Sequence, residues 1–166
     1  MTVASFVCRD LEQVASHPCD AYAIRPFCPA DADRVADLVA AANAGAGPGG
    51  PTPRPAGLIG ELQSRPGRSV SCWLARPRTA PAEAAPRGLV TLVHVHDRSG
   101  RVRWSIGWLL VHPAARREGL GRALVAVAAQ QAREAGADAL WAETSAAWTA
   151  AAFWRAIGFV TARPGG

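Results

Sequence analysis

The chain has 166 residues, 49% hydrophobic and 19% charged, with a formal net charge of +5. That length gives one domain able to bury about two-thirds of its unfolded surface, and the composition excludes a disordered chain. All 18 basic residues are arginine, scattered without an aromatic-interleaved stripe, which argues against nucleic acid as the main partner and removes lysine chemistry altogether.

In chain order, Met1 to Arg9 lacks a basic cluster followed by an apolar core, so no signal peptide is read and a cytoplasmic location is expected by default. Residues 1–20 read as an N-terminal extension to a domain covering 21–166. Within the extension, Ser5 to Ser16 reads as a short helix ending before Pro18. Tyr22 to Phe27 reads as a strand. Pro29-Ala30-Asp31 opens a helix to about Ala42, with Val35, Leu38 and Val39 on one face. Gly45 to Gly57 is a Gly/Pro-rich loop, placed where a substrate lid could lie. Leu58 to Gln63 reads as one or two helical turns, and Ser69 to Ala75 as a strand. Gly88 to His96 and Val102 to Val111 flank an Asp97–Gly100 turn and read as an antiparallel hairpin. Leu120 to Ala135 reads as a helix closed by Gly136. A strand Ala139 to Thr144, a helix Ala146 to Ile157 and a strand Phe159 to Ala162 follow. This order predicts an α/β fold with a mixed central sheet and helices on both faces.

No apolar run approaches the roughly 20 residues of a membrane span, so no membrane partner is expected. Cys8, Cys19, Cys28 and Cys72 fit neither a zinc pattern nor a CxxC pair; they read as free thiols, with no metal site.

The chemistry concentrates between Ile106 and Leu124. A strand ends at Val111, Pro113 stops it, and a helix opens with Gly119 and Gly121 in its first turn. The unpaired N–H groups of a helix start lie at the positive end of its dipole, and glycines let an anion approach the backbone. Such a site favours phosphate or pyrophosphate. It is neither a P-loop, lacking Gly-Lys-Ser/Thr, nor a dinucleotide GxGxxG turn after a first strand.

Val111-His112-Pro113, then Arg116-Arg117-Glu118-Gly119-Leu120-Gly121-Arg122-Ala123-Leu124, resembles the acyl-CoA motif R/Q-x-x-G-x-G/A of the GNAT family of N-acetyltransferases. About 30 residues on, Ala150-Ala151-Ala152-Phe153-Trp154-Arg155-Ala156-Ile157-Gly158-Phe159 resembles that family's A-x-x-F-Y-x-x-x-G-F motif. Ile24-Arg25-Pro26 and Pro29-Ala30-Asp31 resemble its opening strand and helix. The resemblance covers about Tyr22 to the C-terminus. It implies a sheet splayed between the strands ending at Val111 and Thr144. Pantetheine would insert there against Leu109, Leu110 and Val111, and the pyrophosphate of acetyl-CoA would meet Arg116, Arg117, Glu118, Gly119, Leu120, Gly121 and Arg122. A small-molecule primary amine would attack the thioester directly. Rival readings are a protein or peptide N-terminal acetyltransferase and a non-catalytic acyl-CoA-binding module.

The resemblance also has gaps. The family's usual acid, a tyrosine, is Trp154 here, whose indole N–H is no useful acid. The only tyrosine, Tyr22, falls at the far end of the sheet. Replacement bases are Glu143, His94 and His96; their plain alternatives are a solvated carboxylate or Arg155 partner, and half-buried sheet histidines. His112 reads as structural. Strand alternation puts Trp104, Ile106 and Trp108 on one face. With Trp148 and Trp154 they form either an aromatic wall for the acceptor or simply core. The resemblance implies one more strand after Ala162. Its place is left empty, or taken by the N-terminal extension or a partner chain; an unpaired edge would favour a homodimer.

Overall fold

The computed structural model describes residues 3–17, 19–44, 55–62, 68–96, 100–145 and 148–162. Seven strands, β1 (Val3–Cys8), β2 (Tyr22–Pro26), β3 (Arg68–Pro77), β4 (Gly88–His96), β5 (Val102–Val111), β6 (Leu140–Ser145) and β7 (Val160–Thr161), form one sheet. Its order is β2-β3-β4-β5-β6-β1-β7. Every neighbouring pair is antiparallel except β5 and β6. The helices are α1 (Leu11–Ala15), α2 (Ala32–Ala44), α3 (Pro55–Leu62), α4 (Leu120–Glu134) and α5 (Trp148–Ala156).

Apolar spacing decides which sheet face each helix covers. In α4, Leu120, Leu124, Ala128 and Ala132 recur at helical spacing and are buried. They pack with α1 and the end of α5 against Val90, Leu92, Ile106, Leu140 and Ala142. The other face carries Cys72, Leu74, Leu89 and Leu110, covered by Val35, Leu38 and Val39 of α2 and Leu58 of α3. Helices on both faces of a mixed sheet are the architecture expected from the order of elements. At the entry to α2, the Arg25 guanidinium forks onto the buried Asp31 carboxylate at 2.6 and 2.7 Å.

The N-terminal segment departs from expectation. Ser5 to Ser16 is not one helix: Val3–Cys8 is a strand and only Leu11–Ala15 is helical. Phe6 and Cys8 enter the core with strand period, Leu11 and Val14 with helical period. Between them the Asp10 carboxylate accepts the Gln13 N–H at 3.0 Å and caps the new helix. β1 lies between β6 and β7, so the N-terminal segment is built into the sheet itself. Ala162 N–H donates to the Ser5 carbonyl at 2.8 Å and ties the end of the domain to β1. Residues 45–54 of the glycine-rich loop, 97–99 of the hairpin turn and Gln63 lie outside the described residues.

Candidate functional site

β5 and β6 pair at Trp104–Leu140, Ser105–Trp141 and Ile106–Ala142, and no further. Yet β5 continues to Val111 and β6 to Ser145, so the sheet opens from Gly107 onward. The cause is on β5. Its register with β4 slips by one residue between Val90 and Leu92, so Thr91 faces both Gly107 and Trp108. Such a bulge bends and twists its strand. The Trp108 N–H donates to the Thr91 hydroxyl at 2.6 Å. Thr91 is 1% exposed, one of two buried polar residues among the described residues. A Cβ on residue 107 would lie 2.6 Å from that hydroxyl and 2.9 Å from a Val93 methyl, so the bulge requires glycine there.

The opening encloses a cleft of about 520 Å³. Leu109 and Leu110 line one side, Glu143 and Thr144 the other; α5 contributes Phe153 and Trp154, and Arg116 also borders it. Trp154 is buried, its ring tilted against Phe153 and Phe159 with centroids 5.1 and 5.0 Å away.

Beyond Val111 the chain makes a tight turn into α4. His112 accepts the Ala114 N–H through Nδ1 at 3.1 Å and is held by the turn. Arg117 has φ 64° and Gly119 has φ 79°. Alternation of left- and right-handed residues makes a concave nest of N–H groups. It leads into the first turn of a 15-residue helix, at its dipole's positive end. Gly121 sits close to α5: a Cβ there would be 3.4 Å from the Phe153 ring. The Arg122 guanidinium donates to the Ala156 carbonyl at 3.1 Å, joining α4 to α5. Glu118, the turn's only acid, accepts from the Tyr22 hydroxyl at 2.5 Å. Burial and Glu118 push the Tyr22 hydroxyl up to about 12, so it stays a donor at neutral pH. Tyr22 lies on the edge strand β2, but its hydroxyl reaches the turn rather than a remote end of the sheet. Backbone amides with exposed Arg116 and Arg117 make a donor set that fits a pyrophosphate, while Tyr22 occupies the one carboxylate of the turn, and the cleft beside it fits a narrow chain.

A second cleft of about 410 Å³ is lined by Val93, Val95, Arg103, Ser105, Gly107 and Glu143. It shares Ile106, Gly107 and Glu143 with the first, so the two meet at the bulge. The Arg103 guanidinium pairs with Glu143 at 3.1 Å and lies 4.3 Å from the centre of the Trp141 ring. Glu143's partner is therefore Arg103, not Arg155.

The proposed bases separate. Val93–Ser105 and Val95–Arg103 pairs face the second cleft; the intervening His94–Trp104 pair faces the opposite side. His94 packs edge-on against Trp104 at 4.5 Å, His96 is exposed, and neither lines the two clefts. The tryptophans separate too. Trp104 and Ile106 pack with the α4-side cluster, whereas Trp108 packs with the α2-side cluster. The bulge inserts one residue between them and reverses the alternation, so the shared face expected for Trp104, Ile106 and Trp108 does not form. Trp108 and Trp154 line the first cleft, and Trp104 a different depression at the start of β5. Residues 146–147 and the Trp148 side chain lie outside the described residues. Sequence reasoning passed over Thr91, Arg103 and Trp141. Thr91 had a visible signal, a lone hydroxyl within Leu89-Val90-Thr91-Leu92-Val93; the other two needed the β5–β6 register.

Among the described residues no three His, Cys, Asp or Glu side chains gather as a metal site, and no described helix is long and apolar enough to cross a membrane.

Residues 52–159 match the family model described as acetyltransferase (GNAT) family. Among solved structures, a tandem GNAT protein from the clavulanic acid biosynthesis pathway matches at 26% identity and TM-score 0.65, over 82% of this chain and 43% of that one. A ribosomal-protein-alanine N-acetyltransferase from Brucella melitensis matches at 20% identity and TM-score 0.64, over 88% of this chain and 96% of that one. A functionally unknown conserved protein from Staphylococcus epidermidis matches at 15% identity and TM-score 0.63, over 96% and 57%. The chain thus spans about half the length of the Staphylococcus protein and of the tandem GNAT protein, 57% and 43%. The Brucella and Staphylococcus likenesses, each under 25% identical, show the fold alone. No curated protein matches the sequence significantly.

Proposed function

Because this chain belongs to the acetyltransferase (GNAT) family, we propose that it transfers acetyl from acetyl-CoA to the primary amine of a small molecule by direct attack. The observation that carries this reading is the meeting of two clefts at Gly107 and Glu143, one leading to the Arg116–Gly121 turn. The family typically uses acetyl-CoA, and the residues of the turn fit its pyrophosphate. Backbone N–H groups from Arg117 to Arg122 would hold the phosphates, with Arg116 and Arg117 adding charge. Leu109, Leu110 and Val111 would hold the pantetheine by their main chain, as an added strand. Bound acetyl-CoA supplies an activated acyl carbon and a thiolate leaving group.

The chain's own work is then positioning and proton handling. Both reactants are confined where the clefts join, which converts a bimolecular encounter into a local one. The nitrogen–carbon bond forms as the carbon–sulfur bond breaks, and the Glu143 carboxylate takes the proton that nitrogen loses. Trp154 offers no acidic proton, so solvent protonates the departing thiolate. Thiols have a pKa near 8.5, so this leaving group needs little assistance. His94 and His96 have no role in this scheme because they face away from the junction.

A second reading, acyl-CoA binding without turnover, draws on the buried indole of Trp154 at the family's tyrosine position. One experiment separates the two: thiol release from acetyl-CoA across a panel of primary amines, with wild type and Glu143→Gln. Turnover that falls about 10²-fold or more in the variant supports the enzyme and its base. Acetyl-CoA binding without release on any amine supports the second reading. Equal turnover by both proteins removes Glu143 as the base.

A further inference from the structure

The second cleft carries information about the acceptor beyond its amine. It brings opposite charges together beside the reaction point: Arg103 and Glu143, 3.1 Å apart. Arg103 is restrained twice, by that ion pair and by the Trp141 ring 4.3 Å from its guanidinium carbon. The remaining lining is small or apolar: Val93, Val95, Ser105 and Gly107.

A plain cationic amine is poorly served here. Its ammonium must compete with Arg103 for one carboxylate, and success leaves two cations beside it. An acceptor carrying an anionic group close to its amine meets no such conflict. Its anion takes the Arg103 guanidinium, whose planar fork suits carboxylate and phosphate alike. Glu143 is thereby released to face the amine and receive its proton. Two ion pairs replace one, and every charge is matched.

We propose that the acceptor is a small amphoteric molecule, a primary amine with a carboxylate or phosphate a short spacer away, and that Arg103 selects it. This inference rests on the acetyltransferase reading above. It disfavours polyamines, whose further ammonium groups would approach Arg103. It also disfavours peptide N-termini, whose nearest backbone group is a neutral amide. Arg103 acts on the anion and Glu143 on the amine, so the two residues separate specificity from proton transfer.

The test uses matched acceptors at equal concentrations of unprotonated amine: leucine, leucinamide, 3-methylbutylamine, phosphoethanolamine and a leucine-initiated tripeptide. Thiol release from acetyl-CoA gives kcat/KM for each, with wild type, Arg103→Gln and Arg103→Lys. The expected result is about tenfold or greater preference in kcat/KM for leucine over leucinamide, because leucinamide has no anion to draw Arg103 away from Glu143. Arg103→Gln brings the ratio towards one, and Arg103→Lys restores part of it. Preference for phosphoethanolamine over leucine identifies phosphate as the anion. A wild type that acetylates leucinamide, 3-methylbutylamine or the tripeptide as well as both leucine and phosphoethanolamine overturns the inference while leaving the acetyltransferase reading intact. So does an unchanged ratio in Arg103→Gln. Silence on every member, with acetyl-CoA bound, overturns this inference together with the reading beneath it.

Discussion

Thr91→Val tests how the fold opens its own cleft. Valine matches threonine in shape but removes the oxygen that accepts the Trp108 N–H at 2.6 Å. The side chain is 1% exposed, so water has no ready route to replace that oxygen. Depriving a half-buried amide of this acceptor costs about 1–3 kcal/mol. For a chain of this size each kcal/mol moves the melting temperature by about 2–4 °C, which gives a fall of roughly 6 °C for a mid-range loss. The bulge then loses its anchor and β5 is free to slide towards even pairing with β4, which displaces Leu109 and Leu110. If about 1 kcal/mol of that reaches the cleft, the Kd for acetyl-CoA rises about fivefold. Thr91→Ser is the matched control, since it keeps the oxygen and loses only a methyl. Differential scanning calorimetry and calorimetric titration of both variants make the comparison. Serine should lose some stability but bind as wild type; valine should lose both. A Thr91→Val protein that melts and binds like wild type would refute the anchoring role of the hydroxyl.

Three further predictions bear on the anion site and on the frame that carries it. Gly121→Ala should retain acetyl-CoA binding, because its Cβ meets the Phe153 ring at 3.4 Å, whereas Gly121→Glu should abolish it by adding charge and bulk beside the phosphates; equal affinity in both variants would remove the assigned site. Tyr22→Phe frees Glu118 next to a bound anion and loses a hydrogen bond to a charged group, so the Kd for CoA should rise between about threefold and tenfold; unchanged titration would mean that backbone alone orders the turn. Arg25→Leu leaves the buried Asp31 carboxylate without its fork and should cost about 2–3 kcal/mol at pH 7, less than for a fully buried pair because Arg25 is 40% exposed. The Arg25 guanidinium, helped by the Cys28 amide and thiol, holds the Asp31 carboxyl well below the usual carboxylate range. A depressed acid stabilises the fold above its unfolded pKa, so the gap between wild type and variant should narrow as pH falls below about 4. Urea melts at pH 7 and pH 3 read this directly, and a gap independent of pH would contradict it.

Much of the frame was legible because its signals are local. The Gly88–His96 and Val102–Val111 runs, the helix from Leu120 and the Gly119–Gly121 pair each declare themselves within a dozen residues. What stayed hidden depends on distant partners or on a single extra residue. The strand Val3–Cys8 pairs with β6, some 137 positions on, and nothing within six residues says that such a partner exists. Read without it, Ser5 to Ser16 passes for a single short helix, because Leu11 and Val14 alone carry a helical spacing. The wall of Trp104 and Trp108 failed because alternation holds only while the ladder is unbroken, and a bulge at Gly107 reverses every side chain after it. Arg103 and Glu143 are 40 residues apart in sequence, and only the parallel register of β5 and β6 brings them together. Tyr22 and Glu118, 96 residues apart, meet only because the fold brings β2 near the turn before α4.

The central claim is that the splay at Gly107 and the start of α4 form one acyl-CoA site. Calorimetric titration of the folded protein with acetyl-CoA, and separately with CoA, tests it most directly. One site per chain with micromolar affinity for both ligands is the expected result. A folded sample that takes up neither at millimolar concentration would contradict it.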